Sequence, residues 1–351
     1  MINDVFCSSN RNLSRSAYGP RRYPKGKTYH LIPRKQIHLP KKKWPLRPAC
    51  PKHLFTMRTR IILTVWSLAA TWLAAEPAIQ VLKKENSCLD FVRGRESPAL
   101  ARFLSTESHG RPYLHPLRSP DGKALLTQFS PGHHRHQTGL YWGPTRINGR
   151  DYFHNYNKKF WSGTKLFHHV VAGEDHPPTV GSTSDLLNAK GEVILRDEQR
   201  WSLMDHGAYY TLDLEWKGTA RADVTIGKYA YGGLFLRMPW KRGIPAGCIN
   251  SEGLKNQAGE GKPAKWVDLG MQVAGLENMG RIAIIDHPGN ENYPTLWRID
   301  GQFGIGPALS RKGDIRIPMG TSKVYRYRLV VYEGDHDPAL LDKETKAFGE
   351  K

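Results

Sequence analysis

Three histidines fall within four positions in the segment Gly132-His133-His134-Arg135-His136-Gln137. In an extended segment residues two apart share a face, so His134 and His136 could hold one metal ion; in a turn, His133 and His136 could do so. The same imidazoles suit general acid–base work near neutral pH. Further on, Asn250-Ser251-Glu252-Gly253 puts an amide, a hydroxyl and a carboxylate at a glycine turn. Asp286-His287-Pro288 sets a carboxylate and an imidazole at the exit of the apolar run 282–285, and Trp297-Arg298 adds an aromatic ring and a guanidinium. Loops carried by rigid strands are where such groups act. Asp286 and His287 are adjacent and point to opposite sides of an extended chain, so they do not read as a hydrogen-bonded dyad. The competing reading of both segments is a plain turn, because Asp, Asn, Pro and Gly are turn formers. His168-His169 lies in an expected strand, where one of the two faces a given side.

Tryptophans recur at positions 142, 161, 201, 216, 240, 266 and 297. Aromatic faces beside Asp, Glu, Asn, Arg and His are what a sugar-binding cleft uses, since pyranose C–H faces stack and hydroxyls need polar partners. Buried core tryptophans explain the same composition.

The elements that must position these groups read as strands. Residues 208–216 alternate, with Ala208, Tyr210, Leu212, Leu214 and Trp216 on one face; residues 323–332 do the same through Tyr325, Tyr327, Leu329 and Val331. Ala220, Ala222, Val224 and Ile226 continue the period of two, and short apolar runs at 193–195, 233–238, 267–273 and 282–285 are bounded by turn formers. Asn148-Gly149 and Asp121-Gly122 are hairpin dipeptides. Helix signals are few: Ser97-Pro98 predicts a short helix through Leu104, and 337–348 predicts another. No βαβ rhythm and no glycine-rich strand-to-helix turn occurs, which argues against a dinucleotide-binding fold. The prediction is an all-β protein, a large antiparallel β-sandwich in one domain.

An internal start precedes that domain. Met57 is followed by Arg58 and Arg60, an apolar run over 61–73, and Ala74-Ala75-Glu76. A basic n-region, a short apolar h-region and small exit residues make a secretory signal peptide. The expected division is a basic prefix over 1–56, disordered or untranslated, a signal peptide over 57–75, and a β-sandwich over 76–351, placing the protein in the periplasm or outside the cell. The formal charge of +20 then changes meaning, because the prefix holds 13 Lys and Arg against Asp4 alone. The mature domain carries only about +6, with no basic stripe to hold a phosphate backbone, so nucleic acid is not an expected partner. No apolar stretch of about 18 residues occurs in the mature domain, so no stable membrane span is expected after signal cleavage. Cys88 and Cys248 are left as a possible pair that spacing does not decide, and the absence of any CxxC removes a thiolate zinc site.

Several motifs in order resemble a known family: Arg111-Pro112-Tyr113-Leu114-His115-Pro116-Leu117 with Ser119-Pro120-Asp121-Gly122, the histidine block ending in Gly139-Leu140-Tyr141-Trp142, then Asn250-Ser251-Glu252-Gly253, Trp266-Val267-Asp268, Ile284-Ile285-Asp286-His287-Pro288 and Pro294-Thr295-Leu296-Trp297. Over roughly 79–334 the chain resembles the exported bacterial family labelled PmoA-like, or "methane oxygenase". That family's block reads Asp-His-Pro-His-His-Arg-Gly; His133 and His136 match its first and last histidines, while Gly132, Arg135 and Gln137 depart from it. The missing central histidine leaves two matching ligands and weakens a three-ligand metal site, with His134 as a substitute. The oxygenase label does not fit a chain without repeated membrane spans.

The functional expectation is an exported protein that handles carbohydrate. The size and the His/Glu/Asp set resemble the galactose-mutarotase-like supersandwich, which implies a histidine acid, His133 or His136, and a carboxylate base, Glu252 or Asp286. An epimerase, lyase or hydrolase would use these types. His133, His136, Glu252, Asp286 and His287 are expected as the catalytic set on one concave surface, with Trp142, Asn250, Trp297 and Arg298 binding substrate. No cofactor is expected in this reading. Two alternatives stand beside it: a non-catalytic glycan-binding protein, and a copper or zinc protein with a divalent metal on His133 and His136. The sequence leaves the oligomeric state open.

Overall fold

Period-two alternation becomes paired strands along most of the chain. The computed structural model describes residues 79–84, 88–105, 110–132, 134–154 and 177–351, and the backbone of 165–169. The basic prefix, the signal segment with the mature start near Glu76, His133 and Trp161 lie outside the described residues.

Eighteen strands are present among the described residues. In chain order they are β1 (Ile79–Lys83), β2 (Cys88–Arg93), β3 (Ala99–Leu104), β4 (Tyr113–Leu117), β5 (Leu140–Gly143), β6 (Lys165–His169), β7 (Thr179–Leu187), β8 (Val193–Asp205) and β9 (Tyr210–Ala220). They continue as β10 (Val224–Ile226), β11 (Gly233–Arg237), β12 (Ala246–Asn250), β13 (Trp266–Gln272), β14 (Met279–Asp286), β15 (Trp297–Ile299), β16 (Gly304–Pro307), β17 (Ile315–Ile317) and β18 (Ser322–Glu333). A first eight-stranded sheet runs β1-β2-β3-β4-β5-β11-β16-β15, and a second runs β12-β13-β14-β18-β9-β8-β7-β6, with β10 and β17 as a separate pair. All the pairings are antiparallel.

The inner faces of the two sheets share one apolar core. Tyr210, Leu212, Leu214 and Trp216 from β9 and Tyr325, Tyr327, Leu329 and Val331 from β18 all enter it, as the alternation predicts. Trp142 of β5 stacks on Trp216 of β9 with ring centroids 4.5 Å apart, tying one sheet to the other. The predicted all-β sandwich is therefore the observed architecture, within a compact unit spanning Ala75–Lys351.

One α-helix is present among the described residues, α1 (Pro338–Gly349). Asp337 caps it by accepting from the Leu340 N–H at 2.9 Å, and Pro338 occupies the first turn, where its missing N–H costs nothing. Its Leu341 and Phe348 cover Trp266, Ala283, Ile285, Val330 and Tyr332 on the outer face of the second sheet. The other predicted helix, from Ser97 through Leu104, is instead β3. Ala101 and Phe103 point into the core, and β3 is paired on both sides, by β2 and β4. Pairing with two neighbours overrides the local cap signal. Cys88 and Cys248 are buried on different sheets, so they do not pair with each other. No helix among the described residues is long and apolar enough to cross a membrane.

Candidate functional site

The sandwich has three faces that could carry chemistry: an apolar interior, an outer face of the second sheet partly covered by α1, and the outer face of the first sheet. The last is where charge, imidazole and aromatic rings converge. Alternation puts Tyr113, Tyr141 and Phe235 on that face, opposite their core-facing neighbours Leu114, Leu140, Trp142, Leu234 and Leu236. With Phe153 they form an aromatic floor; Tyr141 lies 5.3 Å from Phe153 and 5.8 Å from Phe235 between centroids.

Two buried guanidinium groups are set into this floor. Arg237 of β11 donates to Gln137 Oε1, the Gln302 carbonyl and Asp300 Oδ2, each at 2.6 Å. Gly304 makes that possible, since a Cβ there would collide with Asp300, Arg237 and Phe235. Arg111 donates to the carbonyls of Phe153, at 2.6 Å, and His136, and its guanidinium lies 3.9 Å above the Tyr141 ring. The Tyr141 hydroxyl is fully buried and has no hydrogen-bond partner among the described residues. Burial pushes it well above its ordinary value against the opposing pull of Arg111 and Arg237.

Histidines form the rim. The turn at Asn148-Gly149 closes with Gly149 N–H donating to the Arg146 carbonyl, and both residues adopt positive φ. It delivers Asp151-Tyr152-Phe153-His154, in which Asp151 Oδ2 meets His154 Nδ1 at 2.6 Å. Burial raises the Asp151 carboxyl, but the His154 side chain and the backbone N–H groups of His154 and Phe153 outweigh it and hold the carboxyl below its ordinary value. The His154 side chain remains 31% exposed and the Asp151 side chain 41%, so this pair is the part of the cluster that a ligand can reach. His136 is buried, its ring tilted against that of His154 with centroids 4.2 Å apart. Burial first, then the neighbouring His154 and Arg111, lowers its pKa to about 3, so it stays neutral. Tyr231 closes the wall at 5.0 Å from Phe153 and 5.8 Å from His154, and Arg298 is close enough to act on its hydroxyl electrostatically. Arg298 itself pairs with Glu260 at 3.0 Å.

The residues expected from sequence to share one surface divide among several. His136 and Arg298 belong to the outer face of the first sheet. Trp142 and Trp297 are fully buried between the sheets, where Trp297 Nε1 donates to the Ala264 carbonyl at 2.9 Å. Odd and even positions of one strand face opposite ways, so Arg298 reaches the rim only because Trp297 does not. Asp286 is fully buried at the end of β14 and accepts from Asn290 Nδ2 at 2.8 Å and Thr295 N–H at 2.9 Å, fastening the following loop. Burial raises its carboxyl to about 6. His287 turns to the opposite side, edge-on to Phe348 of α1 at 4.9 Å, and its Nδ1 accepts from Gly289 N–H. Asn250 holds its turn through Oδ1, which accepts from the N–H groups of Glu252 and Leu254, and Glu252 is exposed beside Ser251. Among the described residues no group of three or more His, Cys, Asp or Glu side chains could hold a metal ion.

Sequence reading missed Asp151, His154, Tyr231, Arg237 and Asp300. A visible signal existed for some of them: Arg237 is a lone charge ending an apolar strand, and Asp151 and His154 come just after a hairpin dipeptide at i, i+3 spacing.

A model of a family of unknown function, DUF6807, matches residues 92–346, and the chain belongs to that family. A search of curated proteins finds no match. Among solved structures the chain is similar to the Slr1438 protein of Synechocystis sp. PCC 6803, at 10% identity and a TM-score of 0.35 over 74% of this chain and 97% of that one. It is similar to a galactose mutarotase related enzyme of Lactobacillus acidophilus, at 6% identity and a TM-score of 0.33 over 74% of this chain and 100% of that one. A third is an alpha-galactosidase of Lactobacillus brevis, at 8% identity and a TM-score of 0.31, covering 72% of this chain and 39% of the enzyme.

Proposed function

We propose that this chain is an exported protein that binds carbohydrate on the outer face of its first sheet and carries out acid–base chemistry there. The observation that carries this reading is the Asp151–His154 pair, half-exposed on an aromatic floor. A carboxylate on Nδ1 selects the tautomer with a proton on Nδ1 and the lone pair on Nε2, which makes Nε2 the proton-accepting nitrogen. Tyr231 offers a ring for a pyranose face, and Arg298 and Asp300 offer donors and acceptors for hydroxyls at the same rim. His136, held neutral, adds no charge behind His154. Removal of a proton from a sugar hydroxyl or ring carbon, as in an epimerase or lyase, or from an attacking water, as in a hydrolase, is the step this set serves. Export is supported by the signal-like segment over 57–75 and by the likeness to exported PmoA-like proteins.

The test is a ligand and turnover screen of the purified chain against reducing mono- and oligosaccharides, read by saturation-transfer NMR and by anomeric or cleavage products. We expect a sugar that binds and turns over, with turnover lost in His154→Ala. Binding that survives without any turnover would favour the glycan-binding alternative. Binding and turnover unchanged in both His154→Ala and Tyr231→Ala would overturn the placement.

A further inference from the structure

A hollow lies on the opposite side of the sandwich, on the outer face of the second sheet. α1 covers the centre of that face and leaves a corner between His336, which just precedes it, and the edge strand β12. The hollow there has a volume of about 470 Å³. Its floor has a cause in the sequence: Gly247 of β12 and Gly270 of β13 are paired in register and both face outward, so two neighbouring positions lack a side chain. The Arg281 guanidinium lies in the space over Gly270, where a Cβ would collide with it.

The charge around the hollow is built, not incidental. Asp268 is fully buried, and its Oδ2 accepts from Arg281 Nη2 at 2.6 Å, Arg281 Nε at 3.0 Å, the Tyr332 hydroxyl at 2.7 Å and His336 Nδ1 at 2.6 Å. This fixes the guanidinium and the imidazole in place. Arg281 Nη1 has no hydrogen-bond partner among the described residues. Lys255, on the far wall, makes no ion pair among them. Asp268 balances Arg281, so Lys255 leaves the corner with surplus positive charge. Of the remaining walls, Pro245, Ile249 and Met279 are apolar, and the one polar side chain, Asn256, has its Oδ1 occupied by accepting from Cys248 N–H at 2.9 Å.

We propose that this corner is a binding site for a small molecule bearing one oxyanion on an apolar or ring-shaped body, with the oxyanion on Arg281 Nη1 and Lys255. A guanidinium nitrogen already oriented by a buried carboxylate recognises a carboxylate or phosphate oxygen with little ordering cost. The volume suits a molecule of monosaccharide or single-ring size. The site is independent of the first sheet's outer face and of the reading given for it.

The probes are benzoate and its neutral counterpart benzyl alcohol, titrated into the full chain by calorimetry and by following the His336 imidazole in NMR spectra. Benzoate should bind and shift the His336 signals, with benzyl alcohol weaker by about tenfold or more. Gly247→Val should abolish benzoate binding and leave the fold intact, because a Cβ there meets only Asn256 Oδ1 at 3.4 Å and a β-branched residue suits a strand. Lys255→Met, at an exposed position, should weaken benzoate severalfold and leave benzyl alcohol unchanged. Equal affinity for the two probes, no benzoate binding, or full binding by folded Gly247→Val would each overturn the proposal.

Discussion

Asp151 Oδ2 lies 2.6 Å from His154 Nδ1 within one turn of chain, and both side chains reach solvent over a floor of buried rings. The two are held by different means. Asp151 is fixed by accepting from the backbone N–H groups of Phe153 and His154, whereas His154 is fixed by Asp151 and by the rings of His136 and Tyr231. The carboxylate therefore sets the imidazole's tautomer and direction, and the imidazole faces the ligand.

Loss of either partner should act on chemistry more than on stability. His154→Ala should lower turnover of a sugar substrate by about 100-fold or more, the usual scale for a general base. Asp151→Asn keeps the shape of the carboxylate but not its charge, and should lower turnover and shift the acidic limb of the pH profile. The melting temperature should move little, since both side chains are partly exposed. Steady-state rates across pH, with a thermal melt beside them, check this.

Asp197 makes a pH prediction with a definite sign. It is fully buried in the sandwich interior, accepting from Gln199 Nε2 at 3.0 Å and from the indole N–H of Trp216. Burial outweighs these bonds and raises its carboxyl to about 7. A raised carboxyl favours the folded state while protonated. That contribution is complete below the unfolded value, near 4, and is lost as pH rises through about 7. Asp197→Asn should therefore remove a fall in stability between pH 5 and 8, on the order of a few kcal/mol. Urea midpoints of both proteins at the two pH values measure it.

His136 predicts the opposite slope. Its pKa is depressed to about 3, so its contribution is present above the unfolded value near 6.5 and is lost as pH falls toward 3. Histidine-selective NMR should show a neutral His136 ring at pH 5. A ring that protonates near 6.5 would contradict its burial against His154 and Arg111.

Arg237 and Asp300 should behave as a unit. Arg237→Met strands a carboxylate on the sheet face and should cost about 3–5 kcal/mol, the range for breaking a buried pair from one side. Arg237→Met combined with Asp300→Asn should recover part of that loss. Chemical denaturation of the single and double variants decides it.

Much of the fold was legible in the sequence. The alternations ending at Trp216 and Val331 became β9 and β18, the two longest partners of the second sheet after β8. The helix expected over 337–348 became α1. Ser97-Pro98 misled because the pairing of β3 with β2 and β4 is non-local and leaves no local sign. The candidate site was less legible. His136 and Arg298 were found as polar residues beside aromatic ones, but Trp142 and Trp297 were drawn to the core by the apolar positions they occupy. Asp286 resembled a catalytic carboxylate because it is a polar residue at a strand exit, and a buried anchor for a loop has the same signature. Asp151 and His154 were passed over because neither belongs to a cluster of like residues in sequence; their meeting with His136 depends on the register of β4, β5 and β11.

The ligand is expected on the outer face of the first sheet. A crystal structure of the full chain soaked with the sugar that emerges from the screen tests it most directly. The predicted result is a pyranose ring against Tyr231, with a hydroxyl or ring atom within hydrogen-bonding distance of His154 Nε2 and others on Arg298 or Asp300. A sugar seated instead at the Asn250–Leu254 turn, or against Arg281 and His336 on the second sheet, with the first sheet's face empty, would contradict it.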